Sequence, residues 1–586
     1  MRFLGNVFAT IVGLFIFCLL SIIGIGLIAA LVGGGSDTAT LENNSVIELN
    51  IGDVTLDYAG QYNDPWVSAF SRGEELGLID IINAINVAKN DDNIKGISIL
   101  NNNSSLGMAQ SKELRDALAE FQKSGKFVMA YANTYSQKEY YLNSVANTIY
   151  LNPVGDMDFK GLSTELMFFK DLQEKTGIKM EVIRHGKYKS AVEPFLENEM
   201  SDANREQVTA LLQSIWNSTL EDISQSRKIS ITELNRIATS LLARTPTLAK
   251  QQKLIDVIGY EDQYHDAVKK ALKVVKDEDY KRISIIDYTK KHLKDTELSE
   301  ADDQIAVIYA QGEIQSGEGD VNTIGEISMN RSLQDARKDK KIKAIVLRIN
   351  SPGGNALTSD LIWREIELTK KVKPVVVSMG NYAASGGYYI ACNANQIFAE
   401  KNTITGSIGV FGILPNFSKL TAKIGVNIEQ VKTNENASEY SPFVPIDDKF
   451  KAVTLEGVEH IYKTFVTHVA EGRKMKFEQV DSIAQGRVWT GSEALKIGLV
   501  DKIGNLKDAI KAAATLAKTK NYSTKNFPEF DKSIEDMMSN LPFAQSKSDV
   551  IKSEIGLENY KIIQKLKRLQ ERKGIQAIMP FEIDIQ

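Results

Sequence analysis

The sequence contains very little of what disulfide frameworks and metal sites require. It has only two cysteines and five histidines among 586 residues. Cys18 lies in an apolar run and Cys392 far beyond it, so no internal disulfide framework is possible and the fold must be held by packing. The histidines form no H-E-x-x-H pattern and no cysteines cluster, so we expect neither a metal ion nor a cofactor.

An excess of positive charge is also missing. The chain has 70 lysines and arginines against 75 aspartates and glutamates, a net charge of −5 and a pI near 5.8. This balance provides no electrostatic footprint for nucleic acid, which we exclude as a partner. The length exceeds what a single hydrophobic core sustains, so at least two domains are expected.

The N-terminal segment has no charged residue between positions 3 and 36. Residues 7–32 are almost wholly apolar, longer than the apolar core of a cleaved signal peptide and long enough to span a bilayer as a helix. Arg2 precedes the run, and positive flanks stay cytoplasmic. We predict a transmembrane anchor at 7–32, with residues 1–6 in the cytoplasm. The alternative is a signal peptide cleaved near Ala29-Ala30.

The rest of the chain contains an internal duplication. Short stretches recur at one constant offset (342 − 94 = 248 and 394 − 146 = 248): Ile94-Lys95-Gly96-Ile97 with Ile342-Lys343-Ala344-Ile345, Ala146-Asn147-Thr148-Ile149-Tyr150 with Ala394-Asn395-Gln396-Ile397-Phe398, and Pro194-Phe195 with Pro442-Phe443. Strand-like and helix-like patterns alternate in both copies, which predicts α/β repeats with parallel sheets. We predict a linker (33–44), an N-terminal repeat (45–300), a C-terminal repeat (301–520) and a tail (521–586).

Two glycine-rich turns in the C-terminal repeat carry the candidate chemistry. The first, Asn350-Ser351-Pro352-Gly353-Gly354, follows a predicted strand, and its glycines leave backbone N–H groups free to stabilise an oxyanion. The second, residues 380–387, places Ser385 between small residues at the start of a helix, where its hydroxyl is exposed as in a nucleophile elbow. The alternatives are a simple tight turn at 352–354 and a helix N-cap at Ser385.

A serine nucleophile needs a base, and the C-terminal repeat offers no suitable histidine. At the offset of 248, Ser385 corresponds to Gln137, so the N-terminal repeat lacks the serine. That repeat instead has Lys189, whose counterpart is Ala437. Each repeat therefore lacks what the other has, which is the pattern of a split serine–lysine dyad. The lysine would have to be neutral, and burial near apolar neighbours lowers a lysine pKa.

Four motifs together resemble the bacterial signal peptide peptidase A family in its long, two-repeat, membrane-anchored form: Ser351-Pro352-Gly353-Gly354, Ala384-Ser385-Gly386-Gly387-Tyr388, Thr405-Gly406-Ser407-Ile408-Gly409, and Tyr188-Lys189-Ser190-Ala191-Val192-Glu193-Pro194-Phe195. The resemblance implies a crotonase-like fold shared with Clp-type peptidases. It implies Ser385 as nucleophile, Lys189 as general base rather than nearby Lys187, Ser407 as a partner of the lysine amine, and the amides of Gly354 and Gly386 as the oxyanion hole.

The resemblance also implies a biological setting. The substrates would be signal peptides and other apolar peptides left in the bacterial inner membrane, with the catalytic repeats on its periplasmic side. The chain would form a homotetramer in which serine and lysine meet across a protomer boundary, and a dyad within one chain is the alternative that stays open. Two other functions stay open: a non-catalytic membrane scaffold of the same fold, and an acyl-CoA enzyme, since crotonase-like folds also bind thioesters.

Overall fold

The computed structural model describes most of residues 5–20 and 41–62 and all of residues 76–100, 104–275, 278–296, 301–437, 440–530 and 575–579. Residues 10–17 are helical and their apolar side chains are exposed. Residues 21–32 of the predicted anchor and much of the predicted tail lie outside the described part. Among the residues that are described, no helix is both long enough and apolar enough to cross a membrane.

The N-terminal repeat is built on a parallel sheet of six strands in the order β7-β5-β4-β3-β1-β8. Its strands read as nearly continuous apolar runs, as expected for a sheet covered on both faces. The strands are β1 (Ser45–Leu49), β3 (Ile94–Leu100), β4 (Phe127–Ala132), β5 (Thr148–Leu151), β7 (Val257–Ile258) and β8 (Arg282–Ser284).

The C-terminal repeat has a corresponding sheet in the order β19-β17-β15-β13-β9-β21, with β16 and β20 branching from β15. Its last strand lies beyond residue 520, within the segment predicted as tail. The strands are β9 (Asp303–Gln311), β13 (Ile342–Ser351), β15 (Val375–Ala384), β16 (Gln396–Ala399), β17 (Ile404–Gly406), β19 (Val488–Thr490), β20 (Lys502–Ile503) and β21 (Tyr522–Phe527).

A third sheet of seven strands joins the two repeats in the order β11-β12-β10-β14-β23-β18-β6. It combines one strand of the N-terminal repeat, five of the C-terminal repeat and one from the end of the chain. The strands are β6 (Lys179–Arg184), β10 (Glu313–Gln315), β11 (Gly319–Asp320), β12 (Thr323–Gly325), β14 (Gly353–Asn355), β18 (Phe411–Asn416) and β23 (Gln576–Ile578). A small separate pair consists of β2 (Gln61–Tyr62) and β22 (Glu529–Phe530).

Helices connect the strands in both repeats. Those of the N-terminal repeat are α1 (Leu78–Ala88), α2 (Met108–Gln122), α3 (Gln137–Asn143), α4 (Lys170–Thr176), α5 (Glu193–Leu196), α6 (Asp202–Arg227), α7 (Ile231–Thr239), α8 (Pro246–Gln251), α9 (Glu261–Leu272) and α10 (Ile285–Thr296). Those of the C-terminal repeat are α11 (Glu326–Lys338), α12 (Ala356–Lys370), α13 (Gly386–Ala391), α14 (Ser418–Lys423), α15 (Asp448–Arg473), α16 (Phe477–Ile483), α17 (Gly491–Lys496) and α18 (Leu506–Ala517).

The predicted duplication is confirmed by matching contacts in the two repeats. The Tyr140 hydroxyl donates to the Leu254 carbonyl at 2.9 Å, and the Tyr388 hydroxyl donates to the Leu499 carbonyl at 2.8 Å. Helices α6 and α15 are both 26 residues long. The chain therefore has the predicted α/β architecture of two repeats.

Buried polar contacts fix the two repeats relative to each other. The Arg348 guanidinium of the C-terminal repeat is 2% exposed and binds Asp57 and Glu113 of the N-terminal repeat, each at 2.7 Å. Burial raises the pKa of Glu113 to about 7, against the pull of Arg348. The Asn381 side chain accepts hydrogen bonds from two backbone N–H groups at the start of α2. These contacts hold the strand that leads to Ser385 against the N-terminal repeat.

Candidate active site

Ser385 lies at a strained turn between β15 and α13. Its φ of 54° and ψ of −113° are unusual for a residue with a side chain, and such strain concentrates at functional sites. Its N–H donates to the Gly406 carbonyl at 2.8 Å, which ties the turn to β17. The serine occupies the N-cap position, yet its side chain caps no helix N–H. The interpretation of Ser385 as a simple N-cap is therefore wrong.

The Ser385 hydroxyl instead meets a lysine from the other repeat. Lys189 precedes a short 3₁₀ turn at Ser190–Val192, and its Nζ lies 2.8 Å from Ser385 Oγ. Both residues belong to one chain. The sequence-based expectation that they meet across a protomer boundary is thus corrected, because the fold of a single chain brings the two repeats together at this point.

Ser407 completes the contacts of the lysine amine. Lys189 Nζ donates to Ser407 Oγ at 3.0 Å and to the Ser407 carbonyl at 3.1 Å. Ser407 follows β17 with a φ of 51°, and its N–H donates to the Arg487 carbonyl at 2.7 Å. The predicted association of Ser407 with Lys189 is therefore present in the geometry.

The surroundings of Lys189 disfavour its charged form. Lys189, Ser385 and Ser407 are all fully buried. Within the described part of the chain, no carboxylate forms an ion pair with Lys189. Burial alone therefore holds the pKa of the Lys189 amine well below the usual 10.5 of a lysine. The lowered pKa increases the fraction of the amine that is neutral and therefore able to accept a proton.

The backbone of Lys189 is held by the turn before β19. Gly486 has a φ of 81°, and a Cβ at this position would lie 2.7 Å from the backbone nitrogen, Cα and Cβ of Lys189. Tyr188 N–H donates to the Gln485 carbonyl at 2.8 Å. Gly486 therefore allows the close approach that brings the lysine to the serine.

The two glycine turns of the C-terminal repeat meet beside Ser385. A Cβ on Gly353 would lie 2.7 Å from the Gly386 nitrogen, and a Cβ on Gly386 would lie 3.1 Å from the Gly354 nitrogen. A side chain on Gly354 would clash with the backbone of Ile314. The backbone of all three glycines is thus packed without room for side chains, and their amides cluster next to the serine.

The C-terminal strand β23 lies beside these turns, in a groove between β14 and β18. It pairs antiparallel with β14, and Gln576 also pairs with Phe411 of β18. A Cβ on Gly386 would lie 3.0 Å from the Ala577 carbonyl oxygen. The groove therefore accommodates an extended peptide backbone, which here is the chain's own.

An apolar pocket receives the Ile578 side chain in this groove. Ile578 is 5% exposed and packs against Val192 and Phe411 in one buried cluster. Val182 and Leu196 are partly buried against the same cluster. The pocket thus combines apolar side chains from both repeats.

Other residues considered in the sequence lie away from the dyad. Lys187 is exposed, with its amine over the Tyr188 ring, so it is not the partner of Ser385. His468 stacks on Trp363 and lies 3.3 Å from Asp360, while His460 is exposed. Across the described residues, no three His, Cys, Asp or Glu side chains group as metal ligands would.

Some residues that shape this site were not identified from the sequence. Gly353 lay inside a recognised glycine turn, but its close packing against Gly386 was not expected. Gly486 and Phe411 belong to no motif that marks a site, because their importance arises from contacts with distant segments. The groove-filling role of β23 had only a weak signal, the apolar run at 577–581.

Comparison with known proteins agrees with this geometry. The sequence profile of peptidase family S49 matches twice, at residues 120–276 and 367–520. Protease 4 of Salmonella typhi is 38% identical over 538 residues, which cover 89% of this chain and 86% of the relative. The chain belongs to peptidase family S49. The two matched segments fall in the two repeats, so the duplication is a duplication of the S49 unit.

Further S49 relatives match over most of their length. Protease 4 of Haemophilus influenzae is 37% identical and covers 82% of this chain and 81% of its own. The chloroplastic serine protease SPPA of Arabidopsis thaliana is 34% identical, covering 83% and 73%. Among solved structures, ClpP1 from Listeria monocytogenes is 18% identical and covers 37% of this chain and 97% of its own, with a TM-score of 0.23. Membership of the S49 family makes the chain a serine protease.

Proposed function

We propose that the chain is a serine endopeptidase in which Ser385 is the nucleophile and Lys189 the general base. The observation that carries the proposal is the 2.8 Å contact between Lys189 Nζ and Ser385 Oγ in a fully buried environment. A buried amine with a lowered pKa can activate a serine hydroxyl, which is otherwise a weak nucleophile. Ser407 orients the amine through the contacts described above.

The reaction proceeds in two steps. The neutral Lys189 amine accepts the Ser385 hydroxyl proton while Oγ attacks the peptide carbonyl carbon. The amides of Gly354 and Gly386 stabilise the resulting oxyanion. The ammonium then donates its proton to the leaving amine, and the acyl-enzyme forms. Water, deprotonated by Lys189, hydrolyses this ester and regenerates the serine hydroxyl.

The substrate class we propose is remnant signal peptides and other apolar peptides. An extended backbone fits the groove, since β23 occupies it by strand pairing, a common mode of peptide recognition. An apolar side chain fits the pocket, as Ile578 does. A relative in Enterococcus faecium bears the name putative signal peptide peptidase SppA. These features support a peptide ligand over an acyl-CoA thioester.

We extend the proposal to cellular setting and assembly. The uncharged run at 7–32 would anchor the chain in the bacterial inner membrane as a single span, with both repeats on the periplasmic side. The repeats would belong to the crotonase-like group of folds. The active form would be a homotetramer, in which each chain holds its own dyad.

Labelling with a serine-directed phosphonate tests the dyad. We expect mass spectrometry to find the adduct on Ser385, and we expect the Lys189→Ala variant to be labelled on the order of 10⁴-fold more slowly. The matched control is Lys187→Ala, which removes an exposed lysine two residues away and should label normally. An adduct on another residue, or normal labelling of Lys189→Ala, would exclude this dyad and favour the non-catalytic scaffold.

The pH dependence of labelling tests the role of the lysine separately. Only the neutral amine accepts a proton, so the rate should rise tenfold per pH unit up to the pKa of Lys189 and then level off. Because burial lowers that pKa, the plateau should begin well below pH 10.5. A rate that stays independent of pH from the acidic through the alkaline range would contradict a lysine base.

A further inference from the structure

The two amides proposed for the oxyanion hole lie at the starts of two different helices. Gly354 belongs to β14, which ends at Asn355 and continues directly into α12. Gly386 is the first residue of α13 and follows Ser385. The distance between the two amides therefore depends on how α12 and α13 pack against each other.

The two helices touch close to these amides. The Ser359 hydroxyl of α12 donates to the Asn355 carbonyl at 2.8 Å, which holds it over the first turn of that helix. A Cβ on Gly386 would lie only 2.7 Å from the Ser359 oxygen, and both residues are buried. This contact prevents α13 from moving closer to α12, but it does not prevent the two helices from separating.

A side-chain hydrogen bond near the amides opposes this separation. The Tyr389 hydroxyl, about one turn after Gly386 in α13, donates to Asp360 Oδ1 of α12 at 2.7 Å. A second attachment lies further from the amides, where Asn393, just beyond α13, donates to Glu367 at 2.6 Å. The bond between Tyr389 and Asp360 therefore acts at the end of α13 that carries the oxyanion amide.

A third helix keeps the Asp360 carboxylate in its charged form. His468 Nε2 of α15 lies 3.3 Å from the same Oδ1, and its ring stacks on Trp363 of α12. The contact with His468 holds the pKa of Asp360 below its usual value, with a smaller contribution from the Tyr389 hydroxyl. Burial raises the pKa of Tyr389, so the phenol keeps its proton. The bond is thus charge-assisted and stronger than one between neutral groups.

The N-terminal repeat binds the hydroxyl of its matching tyrosine in a different way. At the offset of 248, Tyr389 corresponds to Tyr141 (389 − 248 = 141) and Asp360 to Lys112 (360 − 248 = 112). The Tyr141 hydroxyl donates to Asp222 Oδ2, also at 2.7 Å. Asp222 lies on the long helix α6, so in this repeat the hydroxyl of the small helix is bound by α6 and not by α2.

This difference between the repeats coincides with the presence of the glycine turn. Where the C-terminal repeat has Gly353 and Gly354, the N-terminal repeat has Ser105 and Leu106 (353 − 248 = 105 and 354 − 248 = 106). A buried phenol needs a hydrogen-bond partner in both repeats, and an aspartate on the long helix would satisfy it in either. The need to pair the phenol therefore does not explain why the C-terminal repeat has its aspartate on the helix that follows the glycine turn.

We propose that Asp360 is a positioning residue of the oxyanion hole. Through Tyr389 its carboxylate fixes α13 against α12 and so sets the spacing of the Gly354 and Gly386 amides. This spacing matters because oxyanion donors stabilise a transition state best when they are in place before the negative charge develops. The inference rests on the proposed function, since the spacing of these amides affects catalysis only if Ser385 attacks a carbonyl group.

Two esters of one peptide test the oxyanion hole separately from the dyad, with the full-length chain in detergent. In the thionoester, sulfur replaces the carbonyl oxygen that the amides bind, and sulfur is the weaker hydrogen-bond acceptor. The ratio of kcat/KM for the oxygen ester to that for the thionoester therefore reports how well the amides are placed. We expect Tyr389→Phe to lower kcat for the oxygen ester on the order of tenfold with KM almost unchanged, less than the loss of a whole oxyanion donor. The ester ratio should fall with it.

The matched control is Tyr141→Phe. It removes a buried phenol with the same 2.7 Å hydrogen bond to an aspartate, in the repeat that lacks the serine. Asp222 is more deeply buried than Asp360, so leaving it without this partner should lower the thermal stability at least as much as Tyr389→Phe does. The ester ratio should stay unchanged in Tyr141→Phe, which separates positioning of the amides from a loss of stability.

Substitution of Asp360 itself adds a rescue experiment. Asp360→Asn keeps a side-chain oxygen that can accept the Tyr389 hydroxyl, so it should retain most of the ester ratio. Asp360→Ala removes the acceptor and should behave like Tyr389→Phe. An unchanged ratio in Tyr389→Phe would overturn the positioning role, and so would equal ratios in the two Asp360 variants or a similar fall in Tyr141→Phe.

Failure of the proposed function would look different from failure of this inference. If the unmodified chain hydrolyses neither ester and takes no phosphonate label at Ser385, the serine protease mechanism is wrong and the positioning role falls with it. If the unmodified chain is active and labelled while Tyr389→Phe keeps the ester ratio, the mechanism stands and the positioning role alone is wrong.

Discussion

The two repeats share one fold and differ most at a single turn. This turn lies between β4 and α3 in the N-terminal repeat and between β15 and α13 in the C-terminal repeat. In the N-terminal repeat, the Ser136 hydroxyl accepts the Glu139 N–H and caps α3. The Gln137 side chain accepts the N–H groups of Lys160 and Gly161 at 3.0 and 2.9 Å. In the C-terminal repeat, the equivalent Ser385 has a positive φ and caps nothing.

This difference separates the stable form of the turn from the functional one. The N-terminal turn satisfies its polar groups locally and needs no strained residue. The C-terminal turn retains strain that costs on the order of 1–3 kcal/mol, and it is held by Gly406 and by the neighbouring repeat. The repeat that lost the serine instead supplies the buried Lys189. Duplication thus allowed strain and base to be placed in different copies.

The largest effect is expected on removal of the Ser385 hydroxyl, the group that distinguishes the two turns. Ser385→Ala should lower kcat/KM for a peptide substrate by a factor on the order of 10⁴ to 10⁶, as loss of a serine nucleophile does. Gln137→Ala alters the matched position of the other repeat. It should leave kcat/KM nearly unchanged and cost about 1 kcal/mol of stability through its lost hydrogen bonds.

Circular dichroism should show both variants folded, so that the comparison concerns chemistry. Equal loss of activity in Ser385→Ala and Gln137→Ala would mean that the two turns are equivalent after all. Full activity in Ser385→Ala would remove the proposed nucleophile.

Much of this comparison could be predicted from sequence because it depends on local pattern. The alternation of strands and helices and the offset of 248 predict two α/β repeats, and a helix begins at Gly386, directly after Ser385, as expected. The dyad was predicted because Gln137 and Ala437 stand where Ser385 and Lys189 have counterparts. Local motifs retain such signals.

What the sequence did not predict depends on distant contacts. No sequence pattern predicts that β6 pairs with β18 inside one chain. The expectation of a dyad between protomers came from the family resemblance alone. The backbone contact of Gly486 with Lys189 joins residues almost 300 positions apart. The place of β23 between β14 and β18 likewise arises only in the folded chain. Such contacts are set by the relative position of the repeats.

A smaller effect is expected at the point where the repeats touch. Gly486→Ala adds a methyl group against the backbone of Lys189 and should move the amine away from Ser385. A displacement of this size should lower kcat/KM on the order of 10²-fold. The matched control is Gly498→Ala, since Gly498 has the same φ of 81° but its nearest neighbour for a Cβ is the Met475 sulfur at 3.9 Å.

Both alanine variants carry the same backbone strain, so thermal unfolding should show similar losses of stability. Only Gly486→Ala should lose activity beyond that loss. Equal kcat/KM in the two variants would show that the close approach at Gly486 does not position the lysine.

The smallest effect is expected on removal of β23, the strand that occupies the groove beside the dyad. β23 pairs with β14, whereas residues 105–107, the counterpart of β14, pair with no strand in the described part of the N-terminal repeat. If β23 occupies the place of a substrate, deleting residues 575–586 should remove a competitor and raise kcat/KM several-fold, mainly through a lower KM. Deleting residues 580–586 alone leaves β23 in place and serves as the control. A fall in kcat/KM on deletion of 575–586, with the fold intact, would instead assign β23 to the support of the site, because the strand then holds β14 and β18 in position.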